Sequence, residues 1–110
     1  MQQIPLARIP AQTLNVVLAG QYCTVSLYWR GGSLYLDLRV GDVAVCQGAI
    51  CQNRADVLQA RSRHFAGSLH FVDLAGQQPP QWSGLHTGEA GRYILIYVGA
   101  GEELPPGLRY

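Results

Sequence analysis

The chain has 110 residues, 48% of them hydrophobic and 14% charged, with a formal net charge of +1. That apolar content at so little net charge excludes a disordered chain, and no run of about 18 apolar residues exists to span a membrane as a helix. Near-neutrality also excludes a strong electrostatic pull toward nucleic acid or an anionic lipid surface. The start, Met1-Gln2-Gln3-Ile4-Pro5-Leu6, has no basic region followed by an apolar stretch, so no signal peptide is expected.

Period-2 alternation marks strands with one buried face. From Tyr22 to Trp29, Cys23, Val25, Leu27 and Trp29 share one face, and Tyr22, Thr24, Ser26 and Tyr28 the other. From Ser33 to Val40, Leu34, Leu36, Leu38 and Val40 alternate with Tyr35, Asp37 and Arg39. Gly31-Gly32 between them is a two-residue hairpin signal, because the favoured turns need positive φ. Closing that hairpin sets Trp29 against Leu34, Leu27 against Leu36, Val25 against Leu38 and Cys23 against Val40. The other face then pairs Tyr28 with Tyr35, Ser26 with Asp37 and Thr24 with Arg39. A one-residue slip would destroy this agreement.

The same test extends both ways. A turn at Gly20-Gln21 sets Leu18 against Cys23, Val16 against Val25 and Leu14 against Leu27. A turn at Gly41-Asp42 sets Val43 against Val40 and Val45 against Leu38. One apolar face is therefore expected across four strands, from about Gln12 to Cys46.

Beyond Gly48 the pattern loosens. Asn53 to Ala60 is the one helix candidate, and its shortness favours an irregular excursion to Arg63 anchored by Val57-Leu58. Ser68 to Leu74 reads as a strand, and Gly76 to Pro80 as a loop. Arg92 to Val98 is a strand apolar on both faces, which requires cover on two sides or a partner. The expected fold is all-β: a small antiparallel β-sandwich or barrel over residues 1–98 with a four-strand N-terminal meander. The strands near Ser68 and Arg92 supply its second layer. Residues 99–110, rich in Gly and Pro, are expected to form an extended arm.

Chemistry-bearing residues do not converge in the sequence. Cys23, Cys46 and Cys51 are odd in number and lack CxxC spacing, which argues against a disulfide framework or a zinc site and for reduced thiols. A metal site would need His64, His70 and His86 to meet. Asp37 and Asp73 are not marked as a carboxylate pair, and no G-x-S-x-G or phosphate loop is present. No catalytic residue, cofactor or metal is expected. All eight basic residues are Arg, accompanied by six Tyr and two Trp. Protein interfaces favour these types and are depleted in Lys, although a coding bias toward Arg gives the same composition. Tyr22, Tyr28 and Tyr35 with Arg30 and Arg39 could stack bases, but Asp37 shares their face and the chain is nearly neutral, so protein contact ranks above nucleic acid. The expected contact residues are Tyr28, Tyr35, Arg39 and Arg92, together with the two termini.

The order of these motifs resembles the baseplate plug family of contractile-tailed bacteriophages. The resemblance runs through Ile4-Pro5-Leu6, Gln12-Thr13-Leu14, Tyr22…Leu27-Tyr28-Trp29 and Leu34-Tyr35-Leu36-Asp37-Leu38. It continues through Gly48…Asp56-Val57-Leu58, Gly67-Ser68-Leu69-His70-Phe71-Val72-Asp73, Pro79-Pro80 and Arg92-Tyr93-Ile94-Leu95-Ile96-Tyr97, covering roughly residues 2–98. It implies a small structural β-protein of the virion tail baseplate, made in the host cytoplasm. Its partners would be hub, spike and tail tube proteins, and its copies a trimer or hexamer about the tail axis; neither nucleic acid nor membrane is implied. The alternative is a carbohydrate- or ligand-binding module with Trp82 and the loop from Pro79 to His86 as its platform.

Overall fold

A computed structural model of the chain describes residues 2–58, 65–99 and 102. The strands among the described residues are β1 (Gln2–Ile4), β2 (Ala11–Leu18), β3 (Gln21–Arg30), β4 (Ser33–Val40), β5 (Val43–Ile50), β6 (Ser68–Asp73) and β7 (Tyr93–Val98), with a 3₁₀ turn at Trp82–Gly84. They form two antiparallel sheets, β2-β3-β4-β5 and β1-β7-β6. The sheets pack face to face and do not close into a barrel, so the sandwich half of the expectation holds.

The β3–β4 hairpin has the expected register at every pair from Cys23↔Val40 to Trp29↔Leu34. Gly31 and Gly32 both have positive φ, 59° and 84°, as a turn matched to the strand twist requires. The inward side chains Cys23, Val25, Leu27, Leu34, Leu36 and Leu38 are at most 2% exposed. Trp29 packs half-buried at the rim of the same core.

Two neighbouring registers differ from expectation. The β2–β3 turn is Ala19-Gly20, not Gly20-Gln21, so Val16 faces Cys23, Leu14 faces Val25 and Gln12 faces Leu27. The physical reason is the turn itself. Ala19 and Gly20 take the two positive-φ positions, which leaves Gln21 extended with its side-chain amide donating to the Leu18 carbonyl. A two-residue shift keeps every side chain on its face, so the apolar layer survives.

On the other side Val40↔Val43 holds, but Leu38 faces Cys46 instead of Val45, and the register shifts again before Leu36↔Ala49. Val45 is an extra residue of a bulge, and β5 runs on to Ile50. The bulged strand is fixed by a side chain: the Gly48 N–H donates to Asp37 Oδ1 at 2.6 Å.

The second sheet covers this layer. Leu69, Phe71, Tyr93, Leu95 and Tyr97 join the common core, whereas Val72, Ile94, Ile96 and Val98 form a separate apolar cluster on the sheet's other face. Every residue of β7 is buried, as a strand apolar on both faces demands. β1 is an addition to the expected elements: Ile4, its one buried residue, pairs with Leu95. The described part of the excursion before β6 is irregular. It docks through bridges Asn53↔Phe71 and Asp56↔His70, with Val57 and Leu58 buried. Of the arm expected over 99–110, all but Gly99 and Glu102 lies outside the described residues.

Candidate functional site

The outer face of the meander carries the aromatic residues singled out above. Tyr28 and Tyr35 are direct cross-strand partners, and their rings stack with centroids 5.8 Å apart at 21°. The Arg30 guanidinium lies 5.3 Å from the Tyr28 ring centre. The Tyr28 hydroxyl donates to Asp37 Oδ1 at 3.1 Å. Partial burial, then the adjacent Asp37 carboxylate, push that hydroxyl above its ordinary pKa, so it stays a neutral donor. Asp37 thus serves two strands at once, accepting from Tyr28 on β3 and from Gly48 on β5. These bonds hold the Tyr28, Asp37 and Arg30 side chains in place within the chain itself.

Arg39 shares this face but lies about 13 Å further along β4. It is exposed and donates to the Asp42 carbonyl of the next turn. Arg92 stands elsewhere, just before β7. Its Nε and Nη2 donate to Asp73 Oδ1 and Oδ2 at 2.6 and 2.7 Å. Asp73 is 1% exposed and also accepts from the Ala75 and Gln78 N–H groups. The Arg92 side chain, 40% exposed, therefore anchors a loop from one side while presenting its other side to solvent. The structure thus unites Tyr28 and Tyr35, places Arg39 on their face and separates Arg92. The sequence placed Arg30 and Asp37 on this face, but not among the expected contact residues, and the Ser26↔Asp37 pairing gave no sign of the Tyr28–Asp37 bond.

The nucleophile and metal candidates are spread out. Cys23 and Cys51 are buried, Cys46 is half-buried, and burial raises the pKa of all three thiols. His70 Nδ1 donates to the Arg54 carbonyl, and its Nε2 lies 2.7 Å from Ser68 Oγ. His86 Nδ1 accepts from Gly88 N–H and the Gln3 amide. His64 lies outside the described residues. Among the described residues no three His, Cys, Asp or Glu converge as a metal site. A groove of about 810 Å³ opens at the Gly31-Gly32 end between Trp29, Ile50, Asn53, Pro79 and Gln81. Trp82 is not part of it and packs half-buried against the core.

A two-layer antiparallel sandwich with a stacked Tyr pair on its outer face defines a class: a small all-β module. Over residues 1–100 the chain matches the family model described as "Cyanophage baseplate Pam3 plug gp18". It belongs to that family of phage baseplate plug proteins, whose place is the virion tail baseplate and whose role is structural. No curated protein sequence matches the chain.

Proposed function

We propose that the chain builds the tail baseplate as identical copies packed around the tail axis against hub, spike and tail tube proteins. It is made in the host cytoplasm and acts through contact, not turnover. The observation that carries the contact surface is the Tyr28–Tyr35 stack, ordered by Arg30 and Asp37 and half-buried on the outer face of the meander. Aromatic and Arg anchors of this kind dominate interface energetics. Arg39 extends the surface, and Arg92 offers a second, separate contact. Copies related by rotation about one axis meet through heterologous faces, so one copy's stack would meet a different surface on its neighbour.

The test is the double substitution Tyr28→Ala with Arg39→Ala. The purified variant should keep the far-ultraviolet dichroism and cooperative melt of the parent, while phage complemented with it yield no contractile tails. Normal tails from that variant would overturn the assignment of this face.

A further inference from the structure

We infer that the free edge of β2 is a docking site for an uncharged extended strand supplied by a different baseplate protein. The inference rests on the proposed baseplate role and adds to it a partner chemistry.

The geometry begins at the Ala19-Gly20 turn. A two-residue turn makes Leu18↔Gln21 a hydrogen-bonded pair, and antiparallel pairs alternate from there. Leu18, Val16, Leu14 and Gln12 therefore exchange bonds with β3, a pattern that continues in the Trp29 N–H to Pro10 carbonyl bond at 2.8 Å. Ala11, Thr13, Asn15 and Val17 point their N–H and C=O groups away from the sheet. All four residues are exposed, and among the described residues no backbone partner takes these groups up. They form a row about 20 Å long.

Natural sheets protect such edges with charge, Pro, bulges or brevity. The opposite edge, β5, is protected: it is bulged twice and pinned by Asp37. β2 has none of these devices. Its eight residues pair with β3 without a register break, and none is charged or proline. The entering chain is also fixed, since the Gln12 amide bonds both the N–H and the carbonyl of Ala7.

The chemistry of the occupant follows from the flank. Leu14 and Val16 face the core from the edge strand and remain half-buried. A strand added beside β2 would place alternate residues over them, so those residues must be apolar. A charge there would be desolvated with no partner on β2. A second copy fits poorly. Pairing β2 antiparallel with itself creates a two-fold axis and turns two copies head to head, against a polar stack about one tail axis. The bulged β5 of a neighbour cannot match a straight edge over its length.

Asn15→Pro tests this, because the N–H it removes faces outward and the β3 ladder stays intact. Size-exclusion chromatography and thermal melts should show a monomer with a melting temperature close to the parent's. Quantitative mass spectrometry of purified tails should show its incorporation reduced about tenfold or more. Hydrogen exchange should show the Ala11, Thr13, Asn15 and Val17 amides fast in the isolated parent and protected in its tails. Incorporation of Asn15→Pro at the parent's level, or unchanged exchange of those four amides in tails, overturns the inference. Should Asn15→Pro not fold, Thr13→Lys, an exposed side-chain change with edge-protecting charge, carries the same expectation. A parent dimer that Asn15→Pro dissociates overturns the assignment to a different protein. Absence of the parent itself from tails overturns the baseplate role, and with it this occupant.

Discussion

The two sheets of this protein are held by different physics. The meander is local: three two-residue turns join four strands, and one face of interlocking aliphatic side chains supplies its cohesion. The β1-β7-β6 sheet is assembled from distant segments and is tied by polar groups that are partly buried at its flank. Asn53 Oδ1 accepts from the Asp73 N–H, Asp56 Oδ1 from the Leu58 and Leu69 N–H groups, and the Arg54 carbonyl from His70. The Tyr97 hydroxyl donates to the Ala66 carbonyl, and Phe65 meets the Tyr97 ring edge-on at 5.5 Å. A locally closed sheet needs little beyond alternation and turns. A sheet of remote strands needs directional bonds to select its partners, and each such bond is costly to leave half-made.

Breaking the apolar side should cost most. Leu36 is fully buried at the centre of the meander, and Leu36→Ala should lower the unfolding free energy by about 3–4 kcal/mol in urea titrations. A loss within the range of surface substitutions would mean the layers are not packed as described.

The polar side should cost somewhat less. Asp73→Asn retains the shape but removes the charge that Arg92 and two backbone N–H groups engage, for an expected loss of about 2–3 kcal/mol. Hydrogen bonding from Arg92 foremost holds the Asp73 carboxyl well below the usual carboxylate range. A depressed folded pKa contributes stability that is full above the unfolded value of about 4 and is lost as pH falls toward the folded one. The parent's urea midpoint should therefore fall below pH 4 more steeply than that of Asp73→Asn. Parallel pH profiles would show that the carboxylate is not the tether.

The smallest effect compares two glycines. A Cβ on Gly32 meets nothing within 4 Å, so Gly32→Ala should cost only the positive-φ penalty of about 1 kcal/mol. A Cβ on Gly67 meets the Val98 carbonyl and the Tyr97 ring at the edge of the second sheet. Gly67→Ala should therefore cost more, by about 1–2 kcal/mol, in the same titration. Equal losses would mean that the β6–β7 edge gives way.

The same division decides what the residues reveal in advance. The β3–β4 hairpin is readable pair by pair, because two glycines and strict alternation admit one register. The β2 register is not, because a shift of two residues leaves every side chain on its face. The bulges of β5 carry no sign in the sequence, because Val45 fits a regular register against Leu38 as well as Val43 fits Val40. β1 offers one apolar residue in three, too little for any period. The Tyr28–Tyr35 stack was legible as a consequence of the hairpin. The Asp73 tether to Arg92, 19 residues away, has no periodic signature at all. The charge-free run of β2 is visible in the sequence, yet its standing as a free edge depends on how the second sheet is arranged.

The sheltered thiols carry a consequence for the chemistry of the folded chain. Air-saturated water oxidises thiolates, and the apolar surroundings of Cys23 and Cys51 keep both as unreactive SH groups. Alkylation of the folded, isolated chain should therefore modify Cys46, the half-buried thiol, before Cys23 and Cys51.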